Sequence, residues 1–108
     1  MGKGTAMQML LTGEMISAQE ALRIGLVNEV VPQAELLARA EAIAAKIAAN
    51  APLAVAYCMN AVNHGANMPL AEALFLEASQ FSLAFTTEDK SEGTAAFLEK
   101  RVPAFHGK

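Results

Sequence analysis

QAELLARAEAIAAKIAAN, residues 33–50, is the stretch that decides the fold class of this chain. Leu36, Ala40, Ile43 and Ile47 recur at intervals of three and four residues, the spacing that lines up one face of an α-helix. Alanines fill most of the remaining circumference, so other helices can approach closely from several sides. The stretch therefore predicts a long helix packed among other helices.

Helix signals also fill the sequence on the N-terminal side of this stretch. Residues 4–11 are good helix formers followed by Gly13, which can take the left-handed conformation that ends helices. Ser17 and Glu20 predict a capping box, in which each side chain satisfies a free backbone amide. Residues 26–31 are the only β-like run, and we interpret this short run as an extended connector.

Proline and threonine mark three further helices on the C-terminal side. Pro52 and Pro69 each fit the start of a helix, and Thr86 or Thr87 fits the N-cap of the last one. That last helix is predicted to end near Arg101. Because two-residue alternation is nearly absent, the fold class is all-α, with about six helices and one extended link.

Composition bounds the size, the partners and the compartment of the chain. Its 108 residues fit a single domain, and the hydrophobic fraction of 54% exceeds what a small core needs, so we expect self-association. The net charge of −3, without a basic stripe, argues against a nucleic-acid partner. Charged residues interrupt the longest apolar region and no signal peptide is visible, so we expect no membrane span and a cytoplasmic location. Cys58 is the sole cysteine and is expected to be a small buried hydrophobe.

Few side chains offer catalytic or metal-binding chemistry. His64 and His106 belong to no metal-ligand spacing, and no phosphate-binding glycine loop occurs. Glu77 lies in an apolar helical stripe with Leu74 and Phe81, where burial would make it a candidate general acid or base. The favoured interpretation is that a partner group satisfies Glu77 at a helix contact, and a small carboxylate hydrolase built around it is a third hypothesis. We assign no catalytic residue and no metal site.

The last predicted helix carries the clearest signal for ligand binding. In EGTAAFLEKR, residues 92–101, Gly93, Phe97 and Lys100 are spaced i, i+4 and i+7 and therefore share one helical face. A flat aromatic ring beside a cation suits a flat anionic ligand. The same pattern fits a core aromatic and a solvated helix end, and spacing alone leaves both interpretations open.

The charged residues of that helix are expected to play ordinary roles. Glu88 and Asp89 fall in its first turn, where acidic side chains favour the helix dipole. Glu92 and Glu99 are expected to face solvent. Arg101 is expected to complement the negative end of the helix.

Three motifs resemble the enoyl-CoA hydratase/isomerase family, the crotonase superfamily. They are LLTGEMISAQEALRIGLVNEVVP at 10–32, PLAEALFLEASQF at 69–81 and TTEDKSEGTAAFLEKRVPAF at 86–105. Their order and separations match the family too, and together they cover nearly the whole chain. The resemblance implies the C-terminal helical subdomain of a crotonase-like fold, without the ββα spiral core.

The resemblance also implies roles for individual residues. In this family the spiral core supplies an oxyanion hole and catalytic glutamates that act on an acyl-CoA thioester, so this chain alone is expected to be inactive. Phe81 and Phe97 would line the adenine site of coenzyme A, Lys100 would approach the phosphate on the ribose, and Gly93 would leave space for the purine. The thioester would be the substrate of hydration or isomerisation, with no separate cofactor.

Domain organisation and assembly follow from the same resemblance. Residues 1–66 would hold the first four helices, and residues 67–108 would hold the helices that cover coenzyme A and contact neighbouring protomers in a trimer-type homo-oligomer. Met59 replaces a lysine that many members carry, so no extra cationic contact is assumed there. The alternative from another class is a stand-alone helical module for self-association or protein interaction, which binds no ligand.

Overall fold

The structure, a computed structural model, describes every residue, Met1–Lys108, and consists of helices without any strand. A 3₁₀ turn, Gln33–Glu35, leads into the third helix, and residues 26–31 carry no strand. The all-α prediction with about six helices is therefore confirmed. The helices are α1 Lys3–Thr12, α2 Ala18–Arg23, α3 Leu36–Ala48, α4 Pro52–Gly65, α5 Leu70–Phe85 and α6 Glu88–Glu99.

The chain divides into two compact units, Met1–Ala40 and Glu41–Lys108. The first unit contains α1 and α2, and the second contains α4, α5 and α6. In the first unit, Gly13 adopts a φ of 65° and donates its N–H to the Met9 carbonyl at 3.1 Å. Glycine takes this left-handed conformation without the steric cost of a Cβ, which explains why α1 ends there as predicted.

Ser17 caps α2 as predicted, but the capping box is only half formed. The Ser17 hydroxyl accepts a hydrogen bond from the Glu20 N–H at 3.1 Å. The Glu20 carboxylate does not return to Ser17 but accepts two hydrogen bonds from Arg23, at 2.6 and 2.7 Å, which lower the Glu20 pKa. A guanidinium one turn away offers two hydrogen bonds between opposite charges, whereas the Ser17 amide offers a single bond from an uncharged donor.

The pair α4 and α5 provides the main helix packing of the second unit. The two helices approach closely where small residues meet, since a Cβ built on Gly65 would lie 3.6 Å from the Ala73 Cβ. Proline stands at the start of both helices, as Pro52 and Pro69 predicted. No single helix is long and apolar enough to cross a membrane, and only one bent pair, Gln33–Ala48 with Pro52–Gly65, meets those criteria jointly.

Most large apolar side chains are exposed, in line with a hydrophobic fraction that exceeds what a small core needs. The buried residues are Ala21, Ala96 and Asp89. Leu74 is 54% exposed, and Glu77 is exposed as well. Cys58, which was expected to be buried, is also exposed. Periodicity predicts which side chains share a helix face, but not whether another layer covers that face. The burial that would have made Glu77 a candidate acid or base is therefore absent.

Helix α6 begins and ends with distinct backbone caps. The Thr87 hydroxyl accepts a hydrogen bond from the backbone amide three residues later at 3.1 Å, as predicted for an N-cap. At the other end, Lys100 adopts φ 56° and ψ 38°, a left-handed conformation, and the Arg101 N–H donates to the Ala96 carbonyl at 3.0 Å. The helix therefore ends at Glu99, and Lys100 leaves the helical register.

Candidate functional site

An aromatic groove in the second unit is lined by rings from two helices. Phe81 and Phe85 come from α5, Phe97 comes from α6, and the groove has a volume of about 460 Å³. It is accessible to a ligand, because Phe97 is 83% exposed. Small side chains complete much of the lining and leave the aromatic faces uncovered: Ala51, Ala54, Ala84 and Thr94.

Ring geometry and one cation define the chemistry of the aromatic groove. The centroids of Phe81 and Phe85 lie 5.1 Å apart with an interplanar angle of 44°, within the range of favourable aromatic pairs. Lys90 Nζ lies 4.1 Å from the Phe85 centroid, a cation–π contact that holds positive charge at the groove. The arrangement offers apolar ring faces and one ammonium, which suits a planar ring system that carries an anion.

The structure brings two of the three predicted site residues together. Phe81 and Phe97 both line the aromatic groove, whereas Lys100 is exposed and is absent from its lining. The helical spacing that predicted a shared face no longer holds at Lys100, because α6 ends one residue earlier. Sequence reasoning missed Lys90, although Lys90 and Phe97 also have i, i+7 spacing. A role in ligand binding stays a prediction for Phe81, Phe97 and Lys100.

Gly93 leaves space for a protein side chain, and space for a purine beside it stays a prediction. A Cβ at Gly93 would lie 3.2 Å from Cε1 and 3.4 Å from Cζ of Phe105. Phe105 also lines the aromatic groove. The bare face of Gly93 therefore admits the Phe105 ring, and this ring becomes one wall of the groove.

Asp89 binds the backbone of the last residues and does more than favour the helix dipole. Its two carboxylate oxygens accept hydrogen bonds from the His106 and Gly107 N–H groups, each at 2.7 Å. The Asp89 N–H in turn donates to the Lys108 carbonyl at 3.2 Å. Asp89 is only 2% exposed, and a buried carboxylate is stable only when such donors satisfy it.

Glu92 and Arg101 form a second attachment of the same segment, although both were expected to have ordinary surface roles. Arg101 donates to both Glu92 oxygens at 2.6 and 2.8 Å, and the Ala104 N–H adds a bond at 2.8 Å. The Arg101 hydrogen bonds, followed by the Ala104 amide, lower the pKa of Glu92 to about 2. Arg101 also binds Glu99, and the two carboxylates raise the Arg101 pKa.

A second groove of about 650 Å³ lies between α4 and α5 and contains Glu77. Cys58 and Gln80 also line it, and Gln80 Oε1 is buried without a hydrogen-bond partner. Glu77 is the single acid in this lining, so no pair of carboxylates is available for acid–base catalysis. No group of three or more His, Cys, Asp or Glu side chains is arranged to hold a metal ion.

Comparison of the sequence with known families gives one match that covers the whole chain. The sequence profile of the Enoyl-CoA hydratase/isomerase family matches residues 1–108. The chain belongs to the enoyl-CoA hydratase/isomerase family. The resemblance carried by the three motifs is thereby confirmed.

Curated members of the enoyl-CoA hydratase/isomerase family are similar along nearly all of this chain. The crotonyl-CoA hydratase of Syntrophomonas wolfei is 45% identical over 107 residues, which are 99% of this chain and 41% of that protein. The short-chain-enoyl-CoA hydratase of Clostridium acetobutylicum is 46% identical over 100 residues, or 93% of this chain and 38% of that protein. The chain thus spans about two fifths of the length of these relatives.

Solved structures in the family superpose closely on the helices. The enoyl-CoA hydratase of Bacillus anthracis gives a TM-score of 0.96 at 41% identity, over 99% of this chain and 42% of that one. An enoyl-CoA hydratase/isomerase of Mycobacterium paratuberculosis gives a TM-score of 0.94 at 39% identity, over 100% of this chain and 43% of that one. Solved structures of the family therefore contain helices that correspond to those of this chain.

Proposed function

We propose that the aromatic groove binds the adenosine end of a coenzyme A thioester, within a family protein that hydrates or isomerises enoyl-CoA. One observation carries the proposal: Phe81, Phe85 and Phe97 meet in a single accessible groove with Lys90 beside them. Purines stack on aromatic faces, and cations favour the phosphates attached to them. The thioester is the substrate, and the proposal requires no other cofactor.

The names of the relatives support recognition of coenzyme A rather than of an acyl group. The (E)-benzylidenesuccinyl-CoA hydratase of Thauera aromatica is 47% identical over 105 residues, which are 97% of this chain and 41% of that protein. That identity is close to the 45% and 46% of the crotonyl-CoA and short-chain-enoyl-CoA enzymes. The acyl groups in these names differ, whereas coenzyme A is common to them. We therefore propose a shared coenzyme A site and select no acyl chain.

The chain by itself is proposed to be inactive toward enoyl-CoA. Asp89, the carboxylate that lines the groove, is already engaged by backbone amides, and Glu92 of the same helix is engaged by Arg101 and the Ala104 amide. General acid–base catalysis needs a group within hydrogen-bond reach of the reacting atoms and free to exchange a proton. Hydration of crotonyl-CoA by the purified chain would contradict this part of the proposal.

Calorimetric titration of the chain with coenzyme A and with 3′-dephospho-coenzyme A tests the site. We expect Phe97→Ala to lower the affinity for both ligands by about tenfold or more, because loss of one stacking face costs about 1–3 kcal/mol of binding free energy. Phe75→Ala is the matched control, since Phe75 is an exposed ring of α5 outside the aromatic groove. Absent binding of both ligands, or equal effects of the two variants, would overturn the proposal.

The same titration separates the two lysines that could meet the phosphates. Family resemblance favours Lys100 for the phosphate on the ribose, and the groove itself contains Lys90. We expect Lys100→Ala to remove the preference for coenzyme A over the dephospho form. Lys90→Ala is expected to lower the affinity for coenzyme A and for the dephospho form equally. The reverse pattern would assign the ribose phosphate to Lys90.

A helical module for self-association is the second candidate function, and homo-oligomer contacts of the trimer type are part of the first. Both are supported by the many exposed apolar side chains. We propose no nucleic-acid or membrane partner. The reducing cytoplasm is the proposed location, because Cys58 is exposed and has no second cysteine to pair with.

A further inference from the structure

We propose that Asp89 is a positioning residue for the aromatic groove: it holds the tail, residues 101–108, so that the Phe105 ring forms one wall of the ligand site. This inference rests on the proposed function, since it names a residue that acts on the same groove. Asp89 is assigned no contact with the ligand, and its effect passes through Phe105.

The contacts of Asp89 show that the tail is its specific partner. Both carboxylate oxygens accept N–H groups from the tail, those of His106 and Gly107, each at 2.7 Å. With Asp89 only 2% exposed, water cannot replace these donors when the tail is in place. Charge-assisted hydrogen bonds to a buried carboxylate are among the stronger ones in proteins, so the tail is held firmly at this point.

The tail makes a further hydrogen bond before Phe105 and passes close to α4 after it. Before it, the Ala104 N–H donates to Glu92 at 2.8 Å. After it, Gly107 adopts a φ of 72°, and a Cβ there would lie 3.6 Å from two ring carbons of Pro52 at the start of α4. The tail therefore runs from α6 to α4 with Phe105 between these two places.

The position of the Phe105 ring explains why this fixation matters to the groove. The ring lies over Gly93, 3.2 Å from where a Cβ would stand, and it lines the groove with Phe97. If the tail were released, the Phe105 ring would move away with it, and the groove would lose one of its aromatic walls. The affinity for an adenine ring is then expected to fall, although Phe81 and Phe97 remain in place.

The first experiment compares Asp89→Ala with Glu88→Ala in the full chain. Glu88 lies in the same first turn and is exposed, whereas the His106 and Gly107 amides bind Asp89, so removal of Glu88 controls for the lost helix-dipole interaction. We expect Asp89→Ala to speed hydrogen exchange of the His106 and Gly107 amides. We also expect it to lower the affinity for adenosine 3′,5′-bisphosphate by about tenfold. Glu88→Ala is expected to change neither. Pantetheine, which lacks the nucleotide, should be unaffected by both variants.

The second variant, Gly93→Ala, adds a Cβ that would press on the Phe105 ring at 3.2 Å, and it leaves both carboxylates intact. We expect the His106 amide to stay protected and the bisphosphate to bind more weakly than to the natural chain. This variant decides the question if Asp89→Ala loses its helical circular dichroism. Unchanged affinity in Gly93→Ala would then overturn the inference.

Each outcome separates the inference from the proposed function. If Asp89→Ala frees the amides and the bisphosphate still binds as before, the inference is wrong and the groove keeps its proposed function. If the natural chain binds neither coenzyme A nor the bisphosphate, the proposed function fails, and the inference fails with it. If Glu88→Ala weakens binding as much as Asp89→Ala, the effect belongs to the helix dipole and the inference is wrong.

Discussion

Lys100 holds a backbone conformation that glycine would adopt at lower cost. Its φ of 56° makes it the one residue other than glycine with positive φ in this chain. A Cβ in the left-handed region costs about 1–2 kcal/mol, and most helices with such a C-terminal cap use glycine there. A lysine in this place keeps a positive charge at the end of α6, close in sequence to Phe97.

We expect Lys100→Gly to raise the free energy of unfolding by about 1 kcal/mol, because it removes the steric cost of the Cβ. Lys100→Ala retains the Cβ and is the control, so it should leave the stability near that of the natural chain. Urea denaturation monitored by helical circular dichroism gives both values. Equal stability of the glycine and alanine variants would show that the backbone at this position is not strained.

Acid should weaken the attachment of the tail through Glu92. Its pKa is about 2 in the folded chain, against about 4.3 for an unperturbed glutamate. A carboxyl group with a lowered folded pKa stabilises the fold above its unfolded pKa, and this contribution is lost as the pH falls through the folded pKa. The contribution is therefore complete at neutral pH and declines between about pH 4.3 and about pH 2.

Glu92→Gln tests this pH dependence, because glutamine cannot lose a proton. We expect the natural chain to lose more stability than the Glu92→Gln chain as the pH is lowered from about 5 to about 2. Glu99→Gln is the matched control, since Glu99 also binds Arg101 but makes no contact with the Ala104 amide. Parallel stability curves for the natural chain and Glu92→Gln would contradict the role of Glu92.

Gly65 and Gly93 both lie in helices but have different neighbours, and a comparison of alanine substitutions at the two positions tests the packing of α6. Alanine in place of a helix-interior glycine such as Gly93 gains up to about 1 kcal/mol from helix propensity, and the gain is smaller at Gly65, the last residue of α4. At Gly65 the added Cβ would meet Ala73 at an ordinary 3.6 Å, whereas at Gly93 it would press on Phe105 at 3.2 Å. We expect Gly65→Ala to be neutral or stabilising and Gly93→Ala to lose its propensity gain, as measured by urea denaturation. A clear gain in Gly93→Ala would show that the Phe105 ring moves freely.

Element boundaries were predictable where the signal is local. Gly13, Pro52 and Thr87 act within one turn of themselves, so the sequence alone located the ends of α1, α4 and α6 to within a residue or two. The attachment of the tail was not predictable in this way. Asp89 and Gly107 are separated by 18 residues, and no local pattern distinguishes a carboxylate that will meet a returning backbone from one that faces water.

The candidate site was predictable only as far as helical spacing reaches. Phe81 and Phe97 share the groove because each stands on a face that spacing identified. Lys100 has the same helical spacing in the sequence, but α6 ends before it, so the spacing does not place Lys100 on the face of Phe97. Lys90 lies seven residues before Phe97 and therefore has the same helical spacing toward the N-terminus of α6.

Many large apolar side chains are exposed across the whole molecule. Phe75 and Leu70 of α5 are exposed, and so are Leu10 and Leu11 of α1. Large exposed apolar patches mark interaction surfaces or cause aggregation. We therefore expect the purified chain to associate as its concentration rises.

Leu74→Asp tests this expectation on α5. Because Leu74 is half-exposed, a charge there stays hydrated in the monomer, and the free energy of unfolding should fall by only about 1 kcal/mol. The average mass from light scattering should fall, because association would bury that charge. Ala44→Asp adds the same charge to an exposed position of α3 and is the control. Equal masses for the natural chain and Leu74→Asp would exclude this face from the contact.

The exposed thiol of Cys58 allows a probe to be attached to the surface between α4 and α5 without any substitution. It is the sole cysteine, it is accessible, and it shares a groove with Leu74 on the surface between α4 and α5. One maleimide fluorophore would therefore attach at one known place. Its emission would report whether that surface becomes sheltered when protein chains meet, and the label would leave the adjoining aromatic rings chemically untouched.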